Sequence, residues 1–368
     1  MSNTVENWVE SVLGRLDGNQ LKSMNVNLLR EQRAPAELLA DDRERDLREH
    51  LLRLCIGNET LFRQLLSESI PAMILDGSEG KNLTDCGVVF QKTPSGFSVI
   101  AGTDIGIGSA YQFNEDRIVI CPGSDVYVAL DGHGDPYNRA DKRGYRVSQL
   151  CAEAIKTNSQ DIRAAFTKAQ QSMKLEGLAG NATCIAIARI NHANGKRILQ
   201  PGRCGDCRIF VIRNDTVVYE TKDQTLTQAL VDTGKISPDQ ATYHDKRNIV
   251  SGFISQDDND FEWLQEFELQ PEDIVVGASD GIIDNITPAE MALKIKGMSL
   301  IDAYQKVATI TDECMRNRDD IIDETDDRAG AGVFSHGLKS RPKCDNRALF
   351  MILIPPETTT EKADRSKA

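Results

Sequence analysis

Two apolar runs that each end on an aspartate followed by glycine constrain this 368-residue sequence more than any other feature. In VYVALDGHGD (126–135) the run ends at Asp131, and in IVVGASDG (274–281) it ends at Asp280. Apolar runs of this length, rich in β-branched residues, predict buried strands. A carboxylate at the end of a buried strand costs free energy unless it is paired, hydrogen-bonded or bound to a metal ion.

Other acidic residues also stand next to predicted strands. They are Glu115 and Asp116 before 117–120, Asp206 before 208–212, and Asp345 before 347–354. Carboxylates that converge from separate strands repel one another unless a cation lies among them, and oxygen ligands favour Mg²⁺ or Mn²⁺. Two such ions activate a water and hold a phosphoryl group for in-line attack. The pattern predicts a phosphatase-type site, and the one acidic residue with a lysine close by in sequence is Asp345, near Lys343.

The two residues that follow Asp131 fit the same chemistry. Gly132 lets the backbone approach an ion, and His133 is placed to protonate a leaving oxygen. Taken singly, an Asp-Gly pair is more often a turn, and a lone histidine is more often a structural residue. The recurrence of the pattern along the chain favours the functional interpretation.

The order of predicted elements divides the chain. From about residue 4 to 75 apolar residues such as Leu47, Leu51 and Leu54 recur at helical spacing. The segment 74–80 has the composition of a linker. Beyond it, strands in clusters and helices in pairs favour antiparallel sheets covered by helices over alternating βαβ units. We expect a helical N-terminal extension over 1–80, a catalytic domain over 81–356 and a flexible tail over 357–368.

Composition limits the partners. Lys and Arg total 43 against 56 Asp and Glu, a net charge of −13, which argues against nucleic acid and anionic membranes and favours basic peptides. No targeting segment and no run of about 20 apolar residues occurs, so a cytoplasmic location without membrane contact is expected. The nine cysteines, an odd number in apolar contexts, indicate reduced thiols.

A succession of motifs carries a resemblance to a known family. The motifs are NEDR (114–117), ALDGHGD (129–135), GNATCIAI (180–187), RCGDCRIFVI (203–212), VGASDGIID (276–284) and DNRALFMILI (345–354). In order and spacing they resemble the metal-dependent serine/threonine phosphatases of the protein phosphatase 2C (PPM) type. The segment 222–254 is similar to the mobile flap of the bacterial-type members. The resemblance covers about Ala101 to Ile354 and leaves residues 1–80 outside.

The resemblance implies an α+β fold, in which two packed antiparallel sheets are flanked by helix pairs and the ions lie in a cleft at one end. It implies two Mn²⁺ or Mg²⁺ ions, and a third that binds more weakly. The implied metal-binding residues are Glu115, Asp116, Asp131, Gly132, Asp206, Asp280 and Asp345. Asp131 would bridge the two ions, with Glu115 and the Gly132 carbonyl on one side and Asp280 and Asp345 on the other.

The implied reaction is the hydrolysis of phosphoserine or phosphothreonine in a protein substrate by a hydroxide that bridges the ions. Asp131 and Asp116 would support the attack, and His133 would be the general acid. Asp206 would help to hold the third ion. Such an enzyme opposes a kinase pathway, and the segment 1–80 would regulate it, dock a partner or form a dimer.

Two positions depart from the family pattern. Tyr111 stands where the family usually has a phosphate-binding arginine, and Asp135 stands where it usually has a second glycine. The loop PYNRADKRGYR (136–146) follows, and we hypothesise that one of its basic residues replaces the missing arginine, because a guanidinium or an ammonium suits a phosphate dianion. The basic residues concerned are Arg139, Lys142 and Arg143. The alternative is a solvated loop with no role in binding.

Other interpretations stay open at the level of the sequence. Tyr111 and Asp135 are compatible with a catalytically weak or inactive binding module of the same fold, and with a phosphatase of a small phosphoester. The pair Cys204 and Cys207 has the spacing of a redox or zinc site, but no second pair or nearby histidine completes one. We therefore interpret this pair as structural.

Overall fold

The computed structural model describes Glu44–Cys55, 72–77, 83, 89–107, 113–134, 142–193, 195–242, 244, 246–317 and 343–356, together with single positions and short runs between 9 and 70. Its strands are β1 (Met73–Leu75), β2 (Val89–Lys92), β3 (Ser98–Asp104), β4 (Arg117–Cys121), β5 (Val126–His133), β6 (Ala182–Ala193), β7 (Lys196–Cys204), β8 (Arg208–Arg213), β9 (Thr216–Glu220), β10 (Ile254–Ser255), β11 (Glu262–Trp263), β12 (Phe267–Leu269), β13 (Ile274–Ala278) and β14 (Arg347–Leu353). The predicted tail, 357–368, lies outside the described residues.

The helices with described bounds accompany the strands in pairs or short groups. They are α1 (Glu44–Cys55), α2 (Arg143–Thr157), α3 (Ile162–Glu176), α4 (Leu226–Asp232), α5 (Pro238–Thr242), α6 (Asp280–Ile283), α7 (Pro288–Lys294) and α8 (Leu300–Arg316). Two helix starts follow the sequence signals for a capping box. Thr287 and Glu290 exchange both bonds of the box at the start of α7, and Ser237 and Gln240 do so at the start of α5.

The strands form two antiparallel sheets. The first has eight strands in the order β1-β4-β5-β6-β7-β11, with β10 on β6 and β12 on β7. The second has six strands in the order β2-β3-β14-β13-β8-β9. This arrangement confirms the predicted fold class of two antiparallel sheets with helices on the outside.

Side-chain alternation along the strands builds the layers. On β5, Tyr127 and Ala129 join the apolar core between the sheets. The residues between them point the other way, because successive side chains of a strand face opposite sides, and Val128 and Leu130 pack with α2 and α3. The second sheet does the same toward α6, α7 and α8. The result is a four-layer αββα sandwich.

One part of the predicted linker is a strand. We expected 74–80 to connect the N-terminal extension to the catalytic domain, but Ile74 and Leu75 belong to β1, which pairs with β4 and places Ile74 opposite Val119. The prediction failed here because a three-residue strand is too short to show alternation, and its apolar residues continue the helical pattern that precedes them.

Buried apolar residues of the N-terminal segment pack with one another. The cluster contains Val9, Val12, Leu13, Leu16, Leu21, Met24, Leu51, Cys55, Leu61, Phe62, Leu65, Leu66 and Ile70. Helix α1 contributes Leu51 and Cys55, and Arg48 on the same helix donates a hydrogen bond to the carbonyl of Leu16 at 2.7 Å. Among the described residues, no helix combines the length and the apolar composition that crossing a bilayer would need.

A buried arginine fixes the end of the second sheet. Arg347, at the start of β14, is fully buried and donates two hydrogen bonds to Asp104 of β3, at 2.9 and 2.6 Å. It also donates to Thr311 at 2.9 Å and pairs with Asp312, both on α8. These bonds connect two strands and a helix directly behind Asp345.

We expect Arg347→Met to lower the free energy of unfolding by about 3–5 kcal/mol, because it leaves buried carboxylates without their partner. Lys196→Ala is the matched control, since Lys196 pairs with Glu268 at the surface, and its loss should cost about 1 kcal/mol or less. Urea unfolding of both variants measures the difference. Equal losses would contradict a structural role for the buried network.

Candidate active site

The strand ends bring the predicted acidic residues to one edge of the sandwich. They are Glu115 and Asp116 before β4, Asp131 near the end of β5, Asp206 between β7 and β8, Asp280 after β13, and Asp345 before β14. We call these residues the acidic cluster. The register explains the convergence, because Asp131 lies opposite Cys184 of β6, and Ala278 at the end of β13 lies opposite Arg208 at the start of β8.

Hydrogen bonds tie the segments of the acidic cluster together. The hydroxyl of Ser279 donates to Oδ2 of Asp116 at 2.6 Å. The backbone N–H of Glu115 donates to Oδ1 of Asn346 at 2.7 Å. The start of β4 in the first sheet is thereby connected to the end of β13 and the start of β14 in the second.

The acidic cluster carries more negative charge than its surroundings balance. Burial, and then repulsion from other carboxylates, raises the pKa of Asp131 well above its ordinary value. Burial also raises the pKa of Asp116, although the hydrogen bond from Ser279 opposes the rise. Burial and the charge of Asp280 raise the pKa of Asp206 to about 7. Oδ1 of Asp206 is buried and has no hydrogen-bond partner within the described part of the chain. These features suit a site that binds cations.

Lys343 lies inside the acidic cluster. Its ammonium donates a hydrogen bond to Oδ2 of Asp280 and lies 3.0 Å from Oδ2 of Asp345. Burial raises the pKa of Asp280, but the ammonium of Lys343 more than offsets this and holds that pKa below its ordinary value. The sequence showed that Lys343 was near Asp345 but gave no sign that it reaches Asp280.

Glu115 contacts the start of α2. Its Oε1 accepts a hydrogen bond from the backbone N–H of Tyr145 at 3.2 Å. Gly144 makes this approach possible, since a Cβ there would lie 2.4 Å from the same oxygen. Gly132 is equally confined, because its Cβ would lie 2.5 Å from the carbonyl oxygen of Gly144 and 2.8 Å from that of Glu115. Close packing against α2 is thus a reason for the glycine at this position.

His133 stands at the rim of the acidic cluster, at the last position of β5. Its side chain is 38% exposed, and its Nε2 lies 4.0 Å from Oδ1 of Asp131. The same Nε2 lies 3.1 Å from Sγ of Cys184. Burial of the imidazole ring by surrounding protein atoms lowers the pKa of His133, and the negative charge of Asp280 partly offsets this decrease. The side chain therefore reaches solvent and the acidic cluster at once.

Two sets of three potential ligand atoms lie within 4.8 Å of one another among the described residues. One set is Asp131, Asp206 and Cys207, and the other is His133, Cys184 and Asp206. Neither Cys184 nor Cys207 was predicted to be a ligand. Cys184 lies in the motif 180–187, but only the pairing of β5 with β6 brings it beside Asp131, and Cys207 was interpreted as structural.

The described part of the basic loop lies next to Glu115. Lys142 and Arg143 are exposed at the start of α2. The ammonium of Lys142 lies 4.5 Å from the centre of the Phe113 ring. Both residues directly precede Gly144, which contacts the Glu115 carboxylate. Arg139, Tyr111 and Asp135 lie outside the described residues.

A cavity of about 400 Å³ opens beside His133. Its walls come from the start of β6, from the end of the flap-like segment 222–254 and from residues 255–258. The residues that line it are His133, Gly180, Asn181, Ala182, Asn248, Val250, Phe253, Ser255, Gln256, Asp257 and Asp258. The segment 222–254 contains α4 and α5 and is closed at its base by a bridge between Thr225 and Val250. Two of the lining residues, Asp257 and Asp258, are acidic.

Gln224 connects the base of this segment to the Asp206 turn. The side-chain oxygen of Gln224 accepts a hydrogen bond from the backbone N–H of Gly205 at 2.7 Å. The backbone N–H of Gln224 donates to the carbonyl of Gly205 at 2.8 Å. Gly205 has a φ of +89°, and a Cβ there would lie 2.1 Å from Sγ of Cys184. The turn is thus held from both sides.

Comparison with solved structures identifies the architecture. The crystal structure of the Mycobacterium tuberculosis serine/threonine phosphatase PstP/Ppp aligns with a TM-score of 0.54 at 19% identity, over 70% of this chain and 99% of that chain. The fold is that of the PPM-type serine/threonine phosphatases. A second structure, of the PstP catalytic domain in complex with two manganese ions, aligns with a TM-score of 0.52 at 18% identity over 70% of this chain and 98% of that chain.

Sequence comparison points the same way. The serine/threonine protein phosphatase PstP of Mycobacterium tuberculosis is 28% identical over 127 residues, 34% of this chain and 22% of the relative. The protein phosphatase PhpP of Streptococcus pneumoniae is 30% identical over 87 residues, 24% of this chain and 35% of the relative. The matches span about a fifth to a third of these relatives, and no family model matches the sequence. The resemblance to the protein phosphatase 2C family is confirmed at the level of relatives and fold.

We expect Gly132→Ala to destabilise the protein more than Gly177→Ala does. The added methyl group at position 132 meets backbone atoms that cannot move without displacing α2. Gly177 has a φ of +67° but open space around its Cβ position, so its substitution should cost about 1 kcal/mol from backbone strain alone. Urea unfolding curves measure both losses, and equal values would show that α2 is not packed against β5 as closely as described.

Proposed function

We propose that this protein is a metal-dependent phosphatase that removes phosphate from phosphoserine or phosphothreonine in protein substrates. The observation that carries the proposal is the acidic cluster, in which buried carboxylates from both sheets converge with their pKa values raised by burial and mutual repulsion. When these carboxylates are ionised, cations among them supply the missing positive charge, and oxygen ligands favour Mg²⁺ or Mn²⁺.

Manganese or magnesium is the proposed cofactor. The residues that would hold two ions are Glu115, Asp131, Asp280 and Asp345 with the carbonyl of Gly132, while Asp116 supports them and Asp206 helps to hold a third. The PstP structure with two manganese ions supports this choice by its similarity in fold. Ions bound there would activate a water molecule and neutralise the phosphoryl oxygens.

The protein groups have separate tasks in this proposal. His133, at the rim and partly exposed, holds a proton at Nε2 or Nδ1 for the leaving oxygen of the substrate. Lys142 and Arg143, at the start of α2, bind the phosphate dianion, because basic side chains and the N-terminal end of a helix both attract anions. The cavity beside His133 receives the peptide around the phosphorylated residue.

The cellular setting is also part of the proposal. We place the protein in the cytoplasm, where it opposes a kinase, and we assign to residues 1–80 a regulatory or partner-docking role that includes dimer formation. None of the described cysteines forms a disulfide and most of them are buried, which supports a reducing compartment. No contact with nucleic acid or membranes is proposed, because the net charge is −13.

The direct test is hydrolysis of a phosphothreonine peptide with Mn²⁺ and with a chelator. We expect turnover to require the ion and Asp280→Asn to lower kcat by roughly 10²-fold or more, because it removes a charge that holds the cation. Glu268→Gln, an exposed acidic residue paired with Lys196, is the control and should keep wild-type activity. A folded wild type without turnover at millimolar Mn²⁺ would refute the enzymatic proposal.

The basic loop is tested separately. We expect the triple substitution of Arg139, Lys142 and Arg143 by alanine to raise KM for the phosphopeptide while changing kcat much less, because these residues bind the phosphate rather than react with it. Lys168→Ala, an exposed lysine on α3, is the control. An unchanged KM in the triple variant would show that the loop is merely solvated.

A further inference from the structure

We propose that the ammonium of Lys343 is a built-in cation between Asp280 and Asp345, so that a divalent ion binds this pair of carboxylates only by displacing Lys343. The inference rests on the proposed function in one respect, that the acidic cluster binds divalent ions. It goes beyond that function by assigning to Lys343 control over how tightly one of those ions is held.

The ammonium of Lys343 occupies the space between two carboxylates of the acidic cluster. The Lys343 ammonium contacts an oxygen of Asp280 and lies 3.0 Å from an oxygen of Asp345. The Lys343 side chain is only 17% exposed, and those of Asp280 and Asp345 are 8% and 19% exposed. These are the carboxylates expected to hold one of the two ions. An ammonium and a divalent ion cannot share this space, because of their size and because like charges at such a separation repel strongly.

The backbone of Lys343 is anchored beside the acidic cluster. Its N–H donates to Oδ1 of Asn285 at 3.1 Å, and its carbonyl accepts from Nδ2 of Asn285 at 3.0 Å. Asn285 is itself buried and donates from the same Nδ2 to the carbonyl of Gly281 at 2.8 Å. This amide therefore joins the segment before β14 to α6, which begins at Asp280. The side chain starts from a fixed point next to both carboxylates.

Positive charge is unevenly distributed over the acidic cluster. The ammonium of Lys343 lies against both Asp280 and Asp345, and within the described part of the chain no other lysine or arginine pairs with either carboxylate. Among the same residues, the basic side chain at ion-pair distance from Asp131 is the imidazole of His133, 4.0 Å from Oδ1. Lys343 thus compensates the pair Asp280 and Asp345 and does not compensate Asp131 in the same way.

The consequence is an unequal pair of ion sites. When a competing group occupies a site in most molecules, the apparent affinity of the ligand falls in proportion to the remaining free fraction. An ammonium that occupies the Asp280–Asp345 position in nine molecules of ten would weaken the ion there about tenfold. An ion held at Asp131 away from this pair would bind without competition from Lys343.

The experiment is a Mn²⁺ titration of the full chain by isothermal calorimetry, with stoichiometry checked by equilibrium dialysis. We expect the wild type to bind one ion tightly and a second one weakly. Lys343→Met, which keeps the length of the side chain and removes the charge, should strengthen the second ion by about tenfold or more. Lys343→Arg should retain the wild-type pattern. Lys296→Met is the matched control, because Lys296 pairs with Asp215 at the surface.

A second measurement guards against a folding defect. In the presence of a chelator, Lys343→Met should have a lower Tm than wild type and Lys296→Met, because it leaves Asp280 and Asp345 uncompensated. Added Mn²⁺ should then raise the Tm of Lys343→Met more than that of wild type. If wild type and Lys343→Met give identical isotherms with two equally strong ions, the role assigned to Lys343 is wrong, while the proposed metal dependence still holds. Absence of Mn²⁺ binding by every variant would overturn the proposed metal dependence as well.

Discussion

Repulsion among buried carboxylates at one edge of the sandwich is the constraint on which the rest of this structure depends. The apolar clusters between and outside the sheets do not include the strand-end residues Asp131, Asp116 and Asp280, which are nevertheless buried. Their burial raises the pKa of the first two well above ordinary values. A fold that gathers such groups must compensate them, and the way it does so determines its chemistry.

Compensation occurs at two levels. Behind the acidic cluster, arginines pair with acidic residues of their own, as Arg347 does with Asp104 and Arg208 with Asp223. These pairs hold strand ends in place and leave the charge of the cluster as it was. Within the cluster, Lys343 pairs with Asp280 and Asp345 and changes the charge directly. The arginine pairs behind the acidic cluster and the Lys343 pairs within it are therefore the same kind of interaction. Only the Lys343 pairs change the charge that is left for ion binding.

The sequence predicted those features that depend on local pattern. The apolar run before Asp280 was predicted to be a buried strand, and the structure has this strand at Ile274–Ala278, because such a run is a property of neighbouring residues. The acidic residues were found because each follows or precedes a strand. Contacts that depend on register could not be predicted. Cys184 reaches His133 only through the pairing of β5 with β6, and Lys343 reaches Asp280 across 63 positions of sequence.

The same distinction explains why the fold places few demands on the residues of the site. The PPM-type neighbours retain the architecture at 18–19% identity, because strand alternation tolerates any apolar residue of suitable size. Lys343 lies before β14, outside every strand, so a charge at this position disturbs neither sheet. It lies nevertheless within reach of two carboxylates that the fold itself brings together. A single residue just before a strand can thus determine how much cationic charge the acidic cluster needs. It does so without altering the two sheets that bring the carboxylates together.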